Sequence, residues 1–144
     1  MSDNIHPSQT NIIVKLDGRD EISLQIQATA QIKARGCQKL LEKVQAYITN
    51  QGNDPQKWSL PHGNDHIDIL LREFILKAQH QWNFPYTHDE LCHCRSVPTH
   101  NVDQAIIAGA HTAKDVTRQT SAGSSCGTCH PDIEKIIQYR LQQK

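Results

Sequence analysis

The chain has 144 residues, of which 37% are hydrophobic and 5% aromatic. This length and this content of apolar residues suit one ordinary domain or two small ones. Fifteen basic residues balance fifteen acidic ones, so no long-range electrostatic field favours nucleic acid or an anionic membrane surface. The first ten residues lack the features of a signal peptide and no run is apolar enough to span a membrane, so we expect a cytoplasmic protein.

The N-terminal half begins with the alternation that is typical of extended chain. Asn11–Leu16 and residues 21–27 carry apolar side chains in this pattern, which predicts two strands joined by a turn. The alternation continues to Ile32, so it predicts a third strand or an extension of the second. Residues 1–10 are polar and are expected to form a disordered tail.

Two amphipathic helices are predicted next. The first follows Gly36 and Cys37 and closes near Gly52, a residue type that is common at helix C-termini. Asp65 can cap the second helix, which we expect to run to Trp82. The apolar stripes of both helices indicate core rather than a cofactor-binding face, and they comprise Leu40, Leu41, Val44, Tyr47, Ile48, Ile67, Leu70, Leu71, Phe74, Ile75, Ala78 and Trp82.

The helical pattern breaks in the segment Asn-Phe-Pro-Tyr-Thr, which sets the predicted domain boundary. Beyond it, Asn101 and Thr112 can each cap a helix, and Pro131 suits the first position of a third helix. The sequence therefore predicts an α+β protein, with a strand–helix domain at residues 11–86 and an all-helical module at residues 87–144.

Two cysteine pairs carry the chemistry of the C-terminal module. Cys92 and Cys94 enclose one residue, Cys126 and Cys129 enclose two, and 31 residues separate the pairs. Four thiolates can hold a tetrahedral zinc ion, or a [2Fe–2S] cluster in which each iron takes two protein sulfurs. Because zinc sites more often use Cys-x2-Cys or Cys-x4-Cys than Cys-x-Cys, the spacing favours iron.

The surroundings of the second pair suit an anionic cluster. Gly123 and Gly127 allow the backbone to wrap closely around sulfur, and Cys129 directly precedes a predicted helix N-terminus, whose dipole favours negative charge. The candidates for additional positive charge nearby are Arg95, Lys114 and Arg118. The histidines close to the cysteines in sequence, whose protonation can tune a reduction potential, are His93, His111 and His130.

This cysteine pattern and its flanking residues resemble the bacterioferritin-associated ferredoxin family, whose module also forms the central domain of NifU-type iron–sulfur assembly proteins. The resemblance covers residues 90–140 and includes Ala122–Cys129 (AGSSCGTC) and Ile133 with Ile136-Ile137. It implies a small all-helical fold that binds one [2Fe–2S] cluster near the surface. In that family the module transfers electrons or assists cluster and iron traffic. The implied cluster ligands are Cys92, Cys94, Cys126 and Cys129.

Other uses of these cysteines stay open at the level of sequence. Zinc suits the same four thiolates, whereas disulfides are disfavoured in a reducing cytosol. Histidine ligation of the Rieske type is not needed where four cysteines are present. Residues 126–130 also spell the attachment signature of c-type haem, but that attachment requires export and would leave Cys92 and Cys94 unused.

Residues 11–82 resemble part of the IscU/NifU scaffold fold, in which a glycine–cysteine pair joins a strand to a helix, as in Ala34–Leu41 (ARGCQKLL). A working scaffold uses three cysteines and an acidic partner, whereas this half has only Cys37. The resemblance therefore implies a degenerate scaffold-like domain that keeps the fold for docking. Cys37 is either a small buried residue or a functional thiol. His62 and His66 flank a polar loop and are expected to be solvated rather than a metal-binding pair.

The sequence contains no phosphate-binding loop, no Gly-x-Ser-x-Gly and no His-Glu-x-x-His, so we do not expect an enzyme. We expect a [2Fe–2S] protein that acts in electron transfer, iron–sulfur cluster assembly or iron homeostasis as an accessory to a redox or cluster-assembly partner protein. The alternative is a zinc-stapled protein-interaction module without redox activity. An exposed cluster also suits a homodimer, whereas nucleic acid and membranes are not expected partners.

Overall fold

A computed structural model describes residues 11–26, 30–86, 90–92, 97–122 and 130–141. The contacts within the chain define two compact units, one comprising Met1–His62 and Leu70–Trp82, the other Gly63–Ile69 and Asn83–Lys144. Strands and helices both occur, so the predicted α+β class is confirmed. Among the residues described, no helix has both the length and the apolar character that crossing a membrane requires. The finer domain bounds at residues 11–86 and 87–144 stay a prediction.

The first unit is built on a three-stranded antiparallel sheet. Its strands, in spatial order, are β1 (Asn11–Leu16), β2 (Asp20–Ile26) and β3 (Ala30–Arg35). Alternate side chains of β1 and β2 are buried, including Val14, Leu16, Ile22 and Leu24. The first two predicted strands are confirmed. The continued alternation belongs to a separate strand that reverses direction and pairs with β2.

An aromatic cluster joins the helical elements of the first unit. Helix α1 spans Gln38–Gln51, helix α2 spans His66–Ala78, and a short 3-10 helix at Pro55–Lys57 lies between them in the chain. Trp58 is 2% exposed, and its ring centroid lies 5.0 Å from that of Tyr47 and 6.1 Å from that of Phe74. The indole Nε1 donates a hydrogen bond to the carbonyl oxygen of Gly52 at 2.9 Å, which satisfies its polar group inside the core.

Four of the predicted core residues are not buried: Tyr47 and Ile48 are half-buried, and two others, Leu41 and Trp82, fall outside the core. Leu41 lies on the outer side of α1 and is 40% exposed, because the buried face of that helix is narrower than the apolar stripe. Helix α2 ends at Ala78, so Trp82 lies beyond the helix. The Trp82 ring is half-buried, with the Lys77 ammonium nitrogen 5.7 Å from its centroid, which gives it a cation–π contact rather than a core position.

Two of the predicted helix caps are confirmed. The Asp65 carboxylate accepts a hydrogen bond from the backbone N–H of Asp68 at 2.8 Å at the start of α2. The Thr112 hydroxyl accepts one from the backbone N–H of Asp115 at 3.1 Å at the start of the fourth helix. Both contacts satisfy N–H groups that have no partner within the helix itself.

Besides the first turn of α2, the described residues of the second unit form three helices and a short antiparallel strand pair. These elements are β4 (Glu90–Cys92), β5 (Val97–Pro98), α3 (Thr99–Ala108), α4 (Ala113–Thr120) and α5 (His130–Leu141). Helix α3 is central, because it packs against both strands and both other helices. The all-helical prediction is not confirmed, because the module contains the strands β4 and β5. Strands of two or three residues are too short to produce a periodic signal in the sequence. The predicted cap Asn101 lies within the first turn of α3, whose N-cap is Pro98.

A buried ion pair joins α3 to α5. The Arg140 guanidinium donates hydrogen bonds to both carboxylate oxygens of Asp103, from Nε at 2.7 Å and from Nη2 at 2.6 Å. The Arg140 side chain is 3% exposed and that of Asp103 is 14% exposed. The segment before β4 also packs on α5, where the Tyr139 hydroxyl accepts a hydrogen bond from the backbone N–H of Asn83 at 2.8 Å. The Arg140 guanidinium carbon lies 5.7 Å from the centroid of the Phe84 ring.

Candidate functional site

The described flanks of both cysteine pairs lie on elements that pack against α3. Cys92 is the last residue of β4, and α5 begins at His130, directly after Cys129. Both β4 and α5 pack against α3, so each pair is attached to the same helix on at least one side. Cys94, Cys126 and Cys129 lie outside the described residues. The role of the four cysteines as ligands therefore stays a prediction.

The chain enters the second cysteine segment from a well-anchored point at the end of α4. Ser121 adopts the left-handed conformation, with φ of 69°, and ends that helix. The Thr117 hydroxyl donates a hydrogen bond to the Ala122 carbonyl oxygen at 2.7 Å, and the Ala122 N–H donates one to the Thr120 hydroxyl at 3.1 Å. Ala122 is fully buried, so the segment that carries Cys126 starts from a fixed position.

The donor set suits an iron–sulfur cluster, because four thiolates can supply two sulfur ligands to each of two irons. The N-terminus of α5 follows Cys129 directly, and its N–H groups favour anionic sulfur. Residues 91–139 match the family model of the BFD-like [2Fe-2S] binding domain. This segment is a BFD-like [2Fe–2S] binding domain. The family match points to a [2Fe–2S] cluster as the cofactor of the BFD-like domain, as the resemblance over residues 90–140 predicts.

The comparisons do not extend this assignment to the rest of the chain. No curated protein and no solved structure matches it significantly. The family match begins at residue 91, so the resemblance of residues 11–82 to the IscU/NifU scaffold stays a prediction. The junction on which that resemblance depends is nevertheless present, since β3 ends at Arg35 and α1 begins at Gln38.

Few of the predicted neighbours of the cluster fall within the described residues. Arg118 forms an ion pair with Asp115 one turn earlier on α4 and its side chain is 68% exposed, so this charge is shared with a surface carboxylate. Lys114 is also exposed on α4. His111 lies between α3 and α4, where its buried Nε2 has no hydrogen-bond partner among the described residues. Of the remaining candidates, His130 is the first residue of α5. Arg95, His93, Gly123 and Gly127 lie outside the described residues.

A thiol and a carboxylate face each other in the N-terminal unit. Cys37 stands at the junction of β3 and α1, and its backbone N–H donates a hydrogen bond to Asp20 Oδ1 at 2.9 Å. Its thiol donates to Asp20 Oδ2 at 3.6 Å. Asp20 is 4% exposed and Cys37 is half-buried. Cys37 is therefore not a purely apolar filler, because it contacts a buried acidic group.

The register of the sheet brings these two residues together. Glu21 of β2 lies opposite Arg35 of β3, so the next step of the antiparallel register places Asp20 beside Gly36. Gly36 has φ of 143°, and a Cβ atom there would overlap the Asp20 carboxylate. Only glycine allows the chain to pass this close to Asp20 and then place Cys37 at the helix start.

We expect Gly36→Ala to lower the free energy of unfolding by more than Gly18→Ala. Both glycines have a positive φ, which costs a residue with a side chain about 1–2 kcal/mol. At Gly18 no atom lies within 4 Å of an added Cβ, whereas at Gly36 the Asp20 carboxylate must also move. Urea unfolding followed by circular dichroism measures both costs, and equal costs would contradict the close packing of Gly36 on Asp20.

The two histidines that flank the polar loop differ in their exposure. His66 is half-buried rather than solvated, because it is the first residue of α2 and the next residue, Ile67, is 5% exposed. His62 is exposed, as predicted. Sequence reasoning missed Asp20, which only the register of the hairpin could have indicated.

Proposed function

We propose that this protein is a [2Fe–2S] cluster-binding accessory protein that acts in electron transfer, or in iron–sulfur cluster assembly and iron homeostasis, for a partner protein. The observation that carries the proposal is the family match over residues 91–139, a range that contains both cysteine pairs. The proposed ligands are Cys92, Cys94, Cys126 and Cys129. A bound [2Fe–2S] cluster supplies one-electron redox chemistry.

In the proposed function, the polypeptide binds the cluster and positions the two cysteine pairs. Strand β4 leads into the first cysteine pair, while buried Ala122 and the start of α5 flank the second. Strand β4 and helix α5 pack on α3, and Ala122 directly follows α4. This arrangement supports the proposal that the two cysteine segments meet at one centre. Flanks that pack on other elements reduce the entropy lost when four thiolates are fixed around a cluster.

We further propose that the protein has no reaction of its own and works in the cytoplasm by docking to a redox or cluster-assembly protein. A one-electron carrier requires a second protein that supplies or accepts the electron, and a cluster carrier requires a donor and a recipient. A homodimer, in which two clusters or two docking surfaces are presented together, belongs to the same proposal. The kind of partner protein is therefore inferred from the chemistry of the cofactor and not from any surface of the described residues.

Anaerobic purification of the full chain tests this function. A brown protein with about two irons and two sulfides per chain, whose visible absorption is bleached by dithionite and returns on reoxidation, is the expected result. A colourless protein that holds one zinc at the four cysteines would instead establish a zinc-stapled interaction module. Iron, sulfide and zinc analysis of the same sample separates the two outcomes.

A further inference from the structure

One face of the N-terminal sheet is open to solvent. The opposite face is buried through alternate side chains, including Val14, Leu16, Ile22 and Leu24. The register of the strands arranges the outward side chains in three rows, which are Lys15–Glu21–Arg35, Ile13–Ser23–Lys33 and Asn11–Gln25–Gln31. In these rows every residue of β1 and β3 is exposed. An antiparallel sheet with one uncovered face can present it to another molecule.

Positive charge predominates on this open face. Lys15, Lys33 and Arg35 are cationic, and Glu21 is the one acidic residue of the three rows. Within the described part of the chain, the side chains of Lys33 and Arg35 form no ion pair. Because the whole chain is neutral, the excess is local and acts over about a Debye length of 8 Å at physiological salt. The open face therefore attracts an acidic surface at short range.

An apolar side chain lies among these charges. Ile13 is 58% exposed, the highest exposure of any large hydrophobic side chain in the described residues. It precedes Lys15 on the same face of β1 and lies in one row with Ser23 and Lys33. In protein–protein interfaces an apolar contact contributes affinity, while the surrounding charges orient the partner. The open face has both components.

We propose that the open face is a docking surface for an acidic patch of a partner protein. The inference rests on the proposed function, in which the chain docks to a redox or cluster-assembly protein. Carboxylates of the partner pair with Lys33 and Arg35, and an apolar side chain between them covers Ile13. The outer strands of a three-stranded sheet are only about 10 Å apart, so the contact is small, and we expect weak and transient docking.

Glu21 distinguishes an acidic protein from nucleic acid. This half-buried residue stands between Lys15 and Arg35 in its row. A regular array of phosphates brings negative charge against its carboxylate, whereas the acidic groups of a protein surface can be spaced to avoid it. A phosphate backbone also offers no apolar group to Ile13. The composition of the open face therefore favours a protein as its occupant.

Binding of an acidic peptide to the full-length, cluster-loaded protein tests the proposal. The probe is a fluorescent peptide of glutamate with interspersed leucine, and anisotropy measures its affinity at low and at physiological salt. Lys33→Glu should weaken binding about fivefold or more at low salt, and the loss should shrink as salt increases. Ile13→Ser should weaken binding about threefold at both salt concentrations, because an apolar contact is not screened.

Lys57→Glu is the matched control for the charge reversal. Lys57 is exposed on the 3-10 helix of the same unit, so its replacement changes the net charge of the protein equally. This variant should change the affinity by less than about twofold. Circular dichroism establishes that each variant is folded. Equal losses in Lys33→Glu and Lys57→Glu would overturn the proposal, because net charge alone would then account for binding.

Two further probes separate the other kinds of anionic surface. Duplex DNA and phosphatidylserine vesicles are titrated under the same conditions. If either bound wild type more tightly than the peptide and lost this binding in Lys33→Glu, the open face would recognise phosphate and the proposal would be wrong. Iron and sulfide are counted in the same samples, so failure of the docking surface is distinguishable from failure of the proposed function.

Discussion

Replacing Cys126 with serine is expected to remove nearly all iron and sulfide from the anaerobically purified protein, together with its visible absorption. Each iron of a [2Fe–2S] cluster takes two protein sulfurs, and a serine hydroxyl is a poor substitute because it is not ionised at neutral pH. Iron and sulfide analysis with a visible spectrum measures the loss. Cys126 lies in the segment between buried Ala122 and the start of α5 at His130.

Cys37→Ser is the matched control for this experiment, because it removes the remaining cysteine of the chain by the same chemical change. The hydrogen bonds of Cys37 connect it to Asp20 of the N-terminal unit. The Cys37→Ser variant should therefore retain a full complement of iron and sulfide. Retention of the cluster by Cys126→Ser, or its loss from Cys37→Ser, would refute the assignment of the two cysteine pairs as the ligand set.

Asp103→Ala is expected to lower the free energy of unfolding by about 3–5 kcal/mol, the typical cost of breaking a buried ion pair. The Arg140 side chain is 3% exposed, so loss of its carboxylate partner leaves a guanidinium charge in the interior. The variant also loses two charge-assisted hydrogen bonds that hold α3 against α5. Urea unfolding under anaerobic conditions, followed by far-ultraviolet circular dichroism, measures the change.

Two further variants establish the physical cause. Asp115→Ala breaks the ion pair with Arg118 on the surface of α4 and should change the free energy of unfolding by only about 0–1 kcal/mol. The double variant Asp103→Leu with Arg140→Leu removes both buried charges and should be more stable than Asp103→Ala. A double variant that is as unstable as Asp103→Ala would show that packing, and not the unpaired charge, accounts for the loss.

Local patterns in the sequence predicted most of the elements of this fold. Alternation located β1 and β2, and the caps Asp65 and Thr112 located the starts of α2 and α4. Such signals depend on residues close together in the chain, and they are visible without any tertiary contact. The same reasoning missed the β4–β5 pair, because two or three residues contain no period.

The resemblance of residues 90–140 to the bacterioferritin-associated ferredoxin family predicted the BFD-like domain and its cofactor. The residues that carry this resemblance include two short cysteine pairs, Cys92 with Cys94 and Cys126 with Cys129, which are visible in the sequence alone. The contacts that place Trp58 against Tyr47 and Phe74 could not be recognised in this way. Aromatic side chains at any helical spacing satisfy the same apolar pattern, and only packing selects their partners.

By itself, the sequence determined the α+β class and the cysteine pairs, and its resemblance to the BFD-like family predicted the cofactor, because each of these depends on residue patterns that are visible without tertiary contacts. Only the tertiary structure decided that Asp20 and Cys37 share two hydrogen bonds. The pairing of β2 with β3 brings these two residues together although they are 17 positions apart in the chain. Their proximity depends on strand register, which the interactions of the folded core determine and which no local residue pattern specifies.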